Sequence, residues 1–170
     1  IGLLGTQNLN NLIAKHGAIN ASEELIDEHE LVVTCEKILR RDIFGLDKYL
    51  AGFGIERPSR IVVHADQRDA TVAELAAAVR ALGAGRRVVE SVGLVGDELF
   101  TNAVYNAPRD PDGRPRYAHV SRREKIALEP SEHVRIEFGS DGRTFGLSVT
   151  DRFGALAPGS LRSAIERCVA

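Results

Sequence analysis

The segment Asp97-Glu98-Leu99-Phe100-Thr101-Asn102-Ala103 carries the residues best placed to do chemistry. Glu98 and Asn102 are four residues apart, so on a helix they share one face. Val88, Val92, Val95, Leu99 and Ala103 lie on or beside that face, which predicts that it turns toward a core. A carboxylate and a carboxamide on such a stripe are costly unless something satisfies them. A metal ion, a water and a nucleotide phosphate would do so. Asp97, one step off the face, is expected to be a solvated neighbour. Gly93 and Gly96 lie inside the same helix, where each costs about 1 kcal/mol relative to Ala. Close packing of a neighbouring element and room for a ligand explain them equally well.

Elsewhere the chemistry-bearing residues are sparse. His64-Ala65-Asp66 has no third ligand at a metal spacing, so a zinc site is rejected. There is no Gly-x-Ser-x-Gly, no P-loop and no paired Cys-x-x-Cys. Arg109, Arg114, Arg116, Arg122, Arg123 and Lys125 make one stretch locally basic, offset in part by Asp110, Asp112 and Glu124. It is expected to be a solvated mobile loop, with partner docking or phosphate contact as the alternative.

These residues need elements to hold them. Ile61-Val62-Val63 predicts a strand. Thr71-Val-Ala-Glu74 reads as a capping box for a helix that ends near Gly83. A second helix is predicted from about Arg86 to Ala107, stopped by Pro108. Val134, Ile136 and Phe138 alternate, Ser140-Asp141-Gly142 turns the chain, and Phe145, Leu147 and Val149 alternate again, predicting a β-hairpin. Asp151 follows directly; taken alone it is an ordinary turn carboxylate. Strand, two helices and hairpin together imply an α+β fold, a two-layer α/β sandwich. Upstream, Asn11–Lys15 is a candidate strand and Ser22 a candidate N-cap. A long helix is predicted through Val32, Cys35, Leu39, Ile43, Leu46 and Leu50, weakened by Gly45, Gly52 and Gly54. Its apolar positions exceed what a tethered helix hides alone, so a homodimer through Leu31 to Leu50 is expected. Leu161, Ile165 and Cys168 mark a final helix.

Composition sets outer bounds. The 170 residues carry 22 Lys+Arg against 24 Asp+Glu, a net charge of -2, which argues against a general nucleic-acid partner. With no Trp or Met, the core must come from Leu, Val, Ile and Ala. Cys35 and Cys168 fall in apolar helical patterns and are expected to be free buried thiols in a reducing, cytoplasmic setting. No apolar run reaches the roughly 18 residues of a membrane span. The chain opens at Ile1 without a signal segment, which fits a fragment of a longer protein.

Glu98-Leu-Phe-Thr-Asn102-Ala103 resembles the N-box of the histidine-kinase-like ATPase family, shared by gyrase, heat-shock chaperones, mismatch-repair proteins and histidine kinases. The element order from Arg57 to Leu156 is most similar to the anti-sigma-factor serine kinases of that family, including a hairpin ending in an aspartate. The resemblance implies Mg-ATP binding. Glu98 would orient or deprotonate the attacking water or hydroxyl. Asn102 would ligate Mg²⁺, and Asp151 would accept a hydrogen bond from the adenine amino group. Asn106, where many members carry His, and Gly154, the one glycine left in the first glycine motif, complete the implied nucleotide site. Arg152 and Phe153 depart from that motif, and nothing after Ala157 resembles the second, phosphate-cradling one. ATP binding by these residues alone is therefore expected to be weak.

Residues 1–56 bear a fainter resemblance to the end of a response-regulator receiver domain, in which Lys15 matches the lysine that contacts the phosphorylated aspartate. The expected division is a helical segment over 1–56 and an ATPase-like domain over 57–170. The implied function is cytoplasmic signal transduction of the two-component type, with phosphoryl transfer to Ser or Thr of a regulatory partner protein. A non-catalytic interaction or dimerisation module of the same fold is the rival.

Overall fold

The computed structural model describes residues 28–42, 44–50, 54–122 and 124–154. The strand at Asn11–Lys15, the Ser22 cap and the final helix with Leu161, Ile165 and Cys168 lie outside the described residues. Contacts divide the chain into one unit of Ile1–Ile43 with Ala155–Ala170 and another of Phe44–Gly154.

In the first unit, α1 spans Glu28–Leu39. Glu28 and Glu30 in its first turn and Lys37 in its last suit the helix dipole. It ends in a Schellman motif: the Asp42 N–H donates to Lys37 O (2.9 Å) and the Arg41 N–H to Ile38 O (3.0 Å). Arg41 adopts φ +58° to close it, a conformation that costs a non-glycine residue about 1–2 kcal/mol. The helix predicted to continue to Leu50 therefore stops at Leu39. Cys35, expected to be buried, is exposed.

In the second unit, Leu46 and Leu50 are buried on a tight turn, closed by Tyr49 and Leu50 N–H bonds to Leu46 O. β1 (Ser59–Val62), β2 (Val134–Ser140) and β3 (Phe145–Thr150) form an antiparallel sheet in the order β1-β2-β3. The β2–β3 hairpin pairs Ile136 with Val149 and Phe138 with Leu147. Its turn is the predicted one: Asp141 Oδ1 accepts from the Arg143 and Thr144 N–H groups, and Gly142 sits at φ +86°. On one face of the sheet, Val62, Val134 and Ile136 join Phe100, Ala103, Val104 and Leu128 in the core. The opposite face has Gly139 paired with Gly146. A Cβ on Gly139 would lie 3.3 Å from Leu50 Cδ1 and 2.9 Å from Glu56 O, and one on Gly146 3.0 Å from Leu46 Cδ2. The two glycines form the floor on which Leu46 and Leu50 sit.

α2 (Arg68–Ala81) follows a 3₁₀ turn at Ala65–Gln67. It starts one turn earlier than the predicted capping box, because the Gln67 side chain accepts the Val63 and His64 N–H groups. Thr71 and Glu74 lie inside the helix instead. Thr71 Oγ1 donates to Gln67 O, and Glu74 pairs with Arg60 of β1. Gly83, at φ +79°, follows the helix end as predicted. α3 (Arg86–Thr101) runs into a π turn at Asn102–Asn106 and stops before Pro108. Gly96 is where α2 and α3 touch: a Cβ there would come within 2.7 Å of Leu75 Cδ1. Among the described residues the fold is α+β, three helices with one three-stranded antiparallel sheet. No described helix is long and apolar enough to cross a membrane.

Candidate functional site on helix α3

The Glu98 face of α3 does not turn inward. The buried residues are Val89, Gly96, Phe100 and Thr101, followed by Ala103, Val104 and Tyr105. Val88, Leu94 and Val95 are at least half exposed, and Glu98 and Asn102 are exposed with them. Of the apolar repeat, Val88, Val95 and Leu99 face solvent, Val92 is half-buried and Ala103 joins the core, because a second set with glycine at its centre packs more closely on α2. Glu98 and Asn102 therefore carry no burial cost that a ligand must relieve.

They are nonetheless ordered by each other. Asn102 Nδ2 donates to Glu98 Oε1 (3.1 Å), and Asn106 Nδ2 donates to Asn102 Oδ1 (2.8 Å). This ladder fixes the carboxamide with its nitrogen toward Glu98 and its oxygen toward Asn106. It spans the point where the helix widens: the Ala107 N–H donates to Asn102 O, five residues back, at 2.8 Å. Such π turns are rare and are frequently found at functional sites. Here the wider turn buries Ala103, Val104 and Tyr105 in succession while Asn102 and Asn106 both stay in solvent.

Asp97 is not solvated. Arg68, at the first position of α2, forks onto it through Nε to Oδ1 (2.5 Å) and Nη2 to Oδ2 (2.7 Å). That hydrogen bond, helped by the Asp97 and Asp69 charges and opposed by burial, raises the Arg68 pKa above its ordinary value. The pair fastens α2 to α3 immediately beside Glu98. Tyr105, one residue before Asn106, is buried with no partner for its hydroxyl among the described residues. Burial pushes its pKa up, while Arg68 and Arg122 pull it down. Sequence spacing gave no sign of Arg68, which comes to α3 through tertiary packing, or of the burial of Tyr105.

Asp151 stands one residue past β3 as expected, and its Oδ1 accepts the Phe153 N–H at 2.7 Å. Gly154 adopts φ +56°, and a Cβ there would meet nothing within 4 Å. Hydrogen bonds join Glu98, Asn102 and Asn106 into one group; Asp151 and Gly154 form a separate turn at the hairpin end.

Of the basic stretch, Arg109, Arg114, Arg122 and Lys125 are exposed, as a solvated segment requires, while Arg116 is held. Glu132, 4% exposed, accepts from Arg116 Nη1 (2.8 Å), Tyr117 OH (2.9 Å) and its neighbour Glu129 N (3.0 Å). Leu128 N and Ile126 O bond to Val63 and Ala65 of the chain leaving β1. Arg116 is therefore committed to Glu132 and Glu129, not presented to a partner.

As donors for a cation, Glu98 and Asn102 are hard oxygens, and Asn102 Oδ1 keeps one lone pair beyond its bond to Asn106. No group of three or more His, Cys, Asp or Glu converges to hold a metal among the described residues. An ion at Asn102 would need most of its ligands from phosphate and water, as Mg²⁺ commonly does. Against protein-family models, curated proteins and solved structures, the chain has no match.

Proposed function

We propose that the Phe44–Gly154 unit is a Mg-nucleotide-binding domain of the histidine-kinase-like ATPase type, acting in signal transduction. The observation that carries the reading is the solvent-facing ladder Glu98–Asn102–Asn106, on a helix that widens into a π turn under it. Exposed Val95 and Leu99 beside the ladder give an apolar surface of the kind a flat base requires. Asn102 offers its amide oxygen toward a phosphate-bound Mg²⁺. Glu98, adjacent to Asn102, holds or accepts the proton of an attacking water or hydroxyl. Asp151 engages Phe153 with Oδ1, so Oδ2 is the oxygen for the adenine amino group. Bound Mg²⁺ would neutralise phosphate charge, and phosphoryl transfer to Ser or Thr of a regulatory partner asks little else of the protein than positioning.

Calorimetric titration of the chain with ATP, with and without Mg²⁺, tests this. Weak saturable binding, on the order of 0.1–1 mM, is expected, with the Mg²⁺-dependent part lost in Asn102→Ala. No saturable binding, or an Asn102→Ala variant indistinguishable from wild type, would refute it. One observation favours a second reading, a non-catalytic interaction module. The Asn102 amide is already bonded at both ends, and Val88, Leu94, Val95 and Leu99 form an open apolar face of the sort protein partners cover. That reading gains if the titration fails.

A further inference from the structure

The chain holds two Asp-Gly pairs, Asp112-Gly113 and Asp141-Gly142, each at the tip of a hairpin. Glycine has no Cβ, so its backbone nitrogen is open to the side chain of the residue before it. The two tips treat their aspartates differently. Around Asp112 the chain forms a short arm: Arg109 bridges Pro115, the Asp110 N–H donates to Arg114 O (2.9 Å), and the Gly113 N–H donates to Asp110 O (2.8 Å). Pro111 suits the second position of that turn, and Gly113 closes it at φ +78°. Residues 111–115 are all exposed. The Asp112 carboxylate has no hydrogen bond or ion pair among the described residues. Asp141 is held instead. Its Oδ1 accepts the Arg143 N–H (2.9 Å) and the Thr144 N–H (2.7 Å). Ser140 Oγ ties the same turn together, donating to Thr144 O and accepting the Gly142 N–H.

We propose that Asp112 is a site of spontaneous backbone modification, isomerising to isoaspartate in the folded protein, while its turn protects Asp141. The Gly113 nitrogen attacks Cγ of the protonated Asp112 carboxyl group. A C–N bond forms, the carboxyl hydroxyl and the amide proton leave as water, and a five-membered succinimide remains. Water then adds back to one of the two ring carbonyls. Opening at the Cγ carbonyl restores aspartate. Opening at the main-chain carbonyl leaves the chain running through Cβ and Cγ, with the former main-chain carbonyl as a free carboxylate. Water is lost once and regained once, so mass and charge are unchanged and no other reactant is needed. At Asp141 the same attack requires the carboxylate to leave both of its N–H donors. Hydrogen bonds to a charged group are the strong ones, and forfeiting two of them slows the reaction by at least about tenfold. Gly113 and Gly142 both donate their N–H groups, so that contact does not separate the two sites. The product carries one extra backbone atom at the exposed tip, and the Asp110–Arg114 pairing must re-form around it. The reaction is independent of nucleotide binding.

The test incubates the full chain at neutral pH and body temperature for several weeks, once in buffer and once unfolded in urea. Peptide mapping with electron-transfer fragmentation, which distinguishes isoaspartate from aspartate of equal mass, follows each tip. Labelling by an isoaspartyl carboxyl methyltransferase counts the total. In the folded chain, isoaspartate should accumulate at Asp112 at least about tenfold faster than at Asp141. In urea the two rates should converge, because both pairs then have the same chemistry and no turn. Asp112→Glu, whose longer side chain closes a six-membered ring far more slowly, should remove most of the methyltransferase signal from the folded chain. Equal or faster reaction at Asp141 in the folded chain would overturn the proposal. So would a folded chain left unmodified at Asp112 over a period that modifies the unfolded one. A tenfold difference that persisted in urea would show that the turn at Asp141 is not what protects it.

Discussion

Gly93 and Gly96 illustrate how differently two identical residues behave three positions apart on α3. A Cβ at Gly93 would sit 3.9 Å from Val72 Cγ1, ordinary van der Waals contact, whereas at Gly96 it would press within 2.7 Å of fully buried Leu75. Gly93→Ala is therefore expected to stabilise the protein by up to about 1 kcal/mol through helix propensity. Gly96→Ala should destabilise it by about 1–3 kcal/mol, because buried Leu75 must shift to admit the methyl group. Urea unfolding of the two variants checks the opposite signs; a stabilising Gly96→Ala would mean that α2 and α3 are not in contact there. Tyr117 makes a second prediction at this scale. Burial, and then its hydrogen bond to the Glu132 carboxylate, pushes its pKa up to about 12. The folded state thus keeps the proton longer than the unfolded chain, where tyrosine titrates near about 10. The stability this bond contributes is complete below about pH 10 and is lost as the pH rises through about 12. Tyr117→Phe should cost about 1–2 kcal/mol at neutral pH, and its deficit relative to wild type should vanish across that alkaline window. Denaturation at a series of pH values, with tyrosinate absorbance as the titration signal, measures both.

Among elements, α2 and α3 are coupled by a two-bond polar fork. Arg68 opens α2, where a cation opposes the helix dipole, and Asp97 compensates through the fork. Asp97→Ala should cost about 1–2 kcal/mol. Arg68→Ala combined with it should cost clearly less than the two single changes added, since both remove one interaction. A double-mutant cycle reads this directly; strict additivity would show that the pair contributes nothing. The same fork explains why Asp97, which looks like a solvated neighbour in the sequence, belongs to the support of the Glu98 face. At the end of α1 the signal is missing altogether. The Schellman residue is Arg41 rather than glycine, so the apolar repeat through Leu46 and Leu50 reads straight across a helix terminus. Arg41→Gly should raise the helicity and stability of α1 by about 1 kcal/mol, measurable by circular dichroism during thermal unfolding.

At the scale of the molecule, the sequence determined what depends on local pattern. Alternation placed the β2–β3 hairpin, Ser140-Asp141-Gly142 its turn, Gly83 the end of α2, and Pro108 the limit of the α3 segment. The four-residue spacing of Glu98 and Asn102 put them on one face, because helical periodicity is a property of the backbone alone. Tertiary structure decided which face is which. α3 carries two apolar stripes, and periodicity cannot rank them. Only the approach of Leu75 to Gly96 shows that the glycine-centred stripe packs inward and the Val88–Val95–Leu99 stripe faces out. Leu46 and Leu50 have the spacing of a helix face, yet they are buried as plugs over Gly139 and Gly146, which lie about ninety residues along the chain. The fork of Arg68 onto Asp97 and the bonds of Arg116 and Tyr117 to Glu132 also join residues that local pattern does not relate. Their energies depend on distance and burial, and those exist only once the sheet and helices have packed.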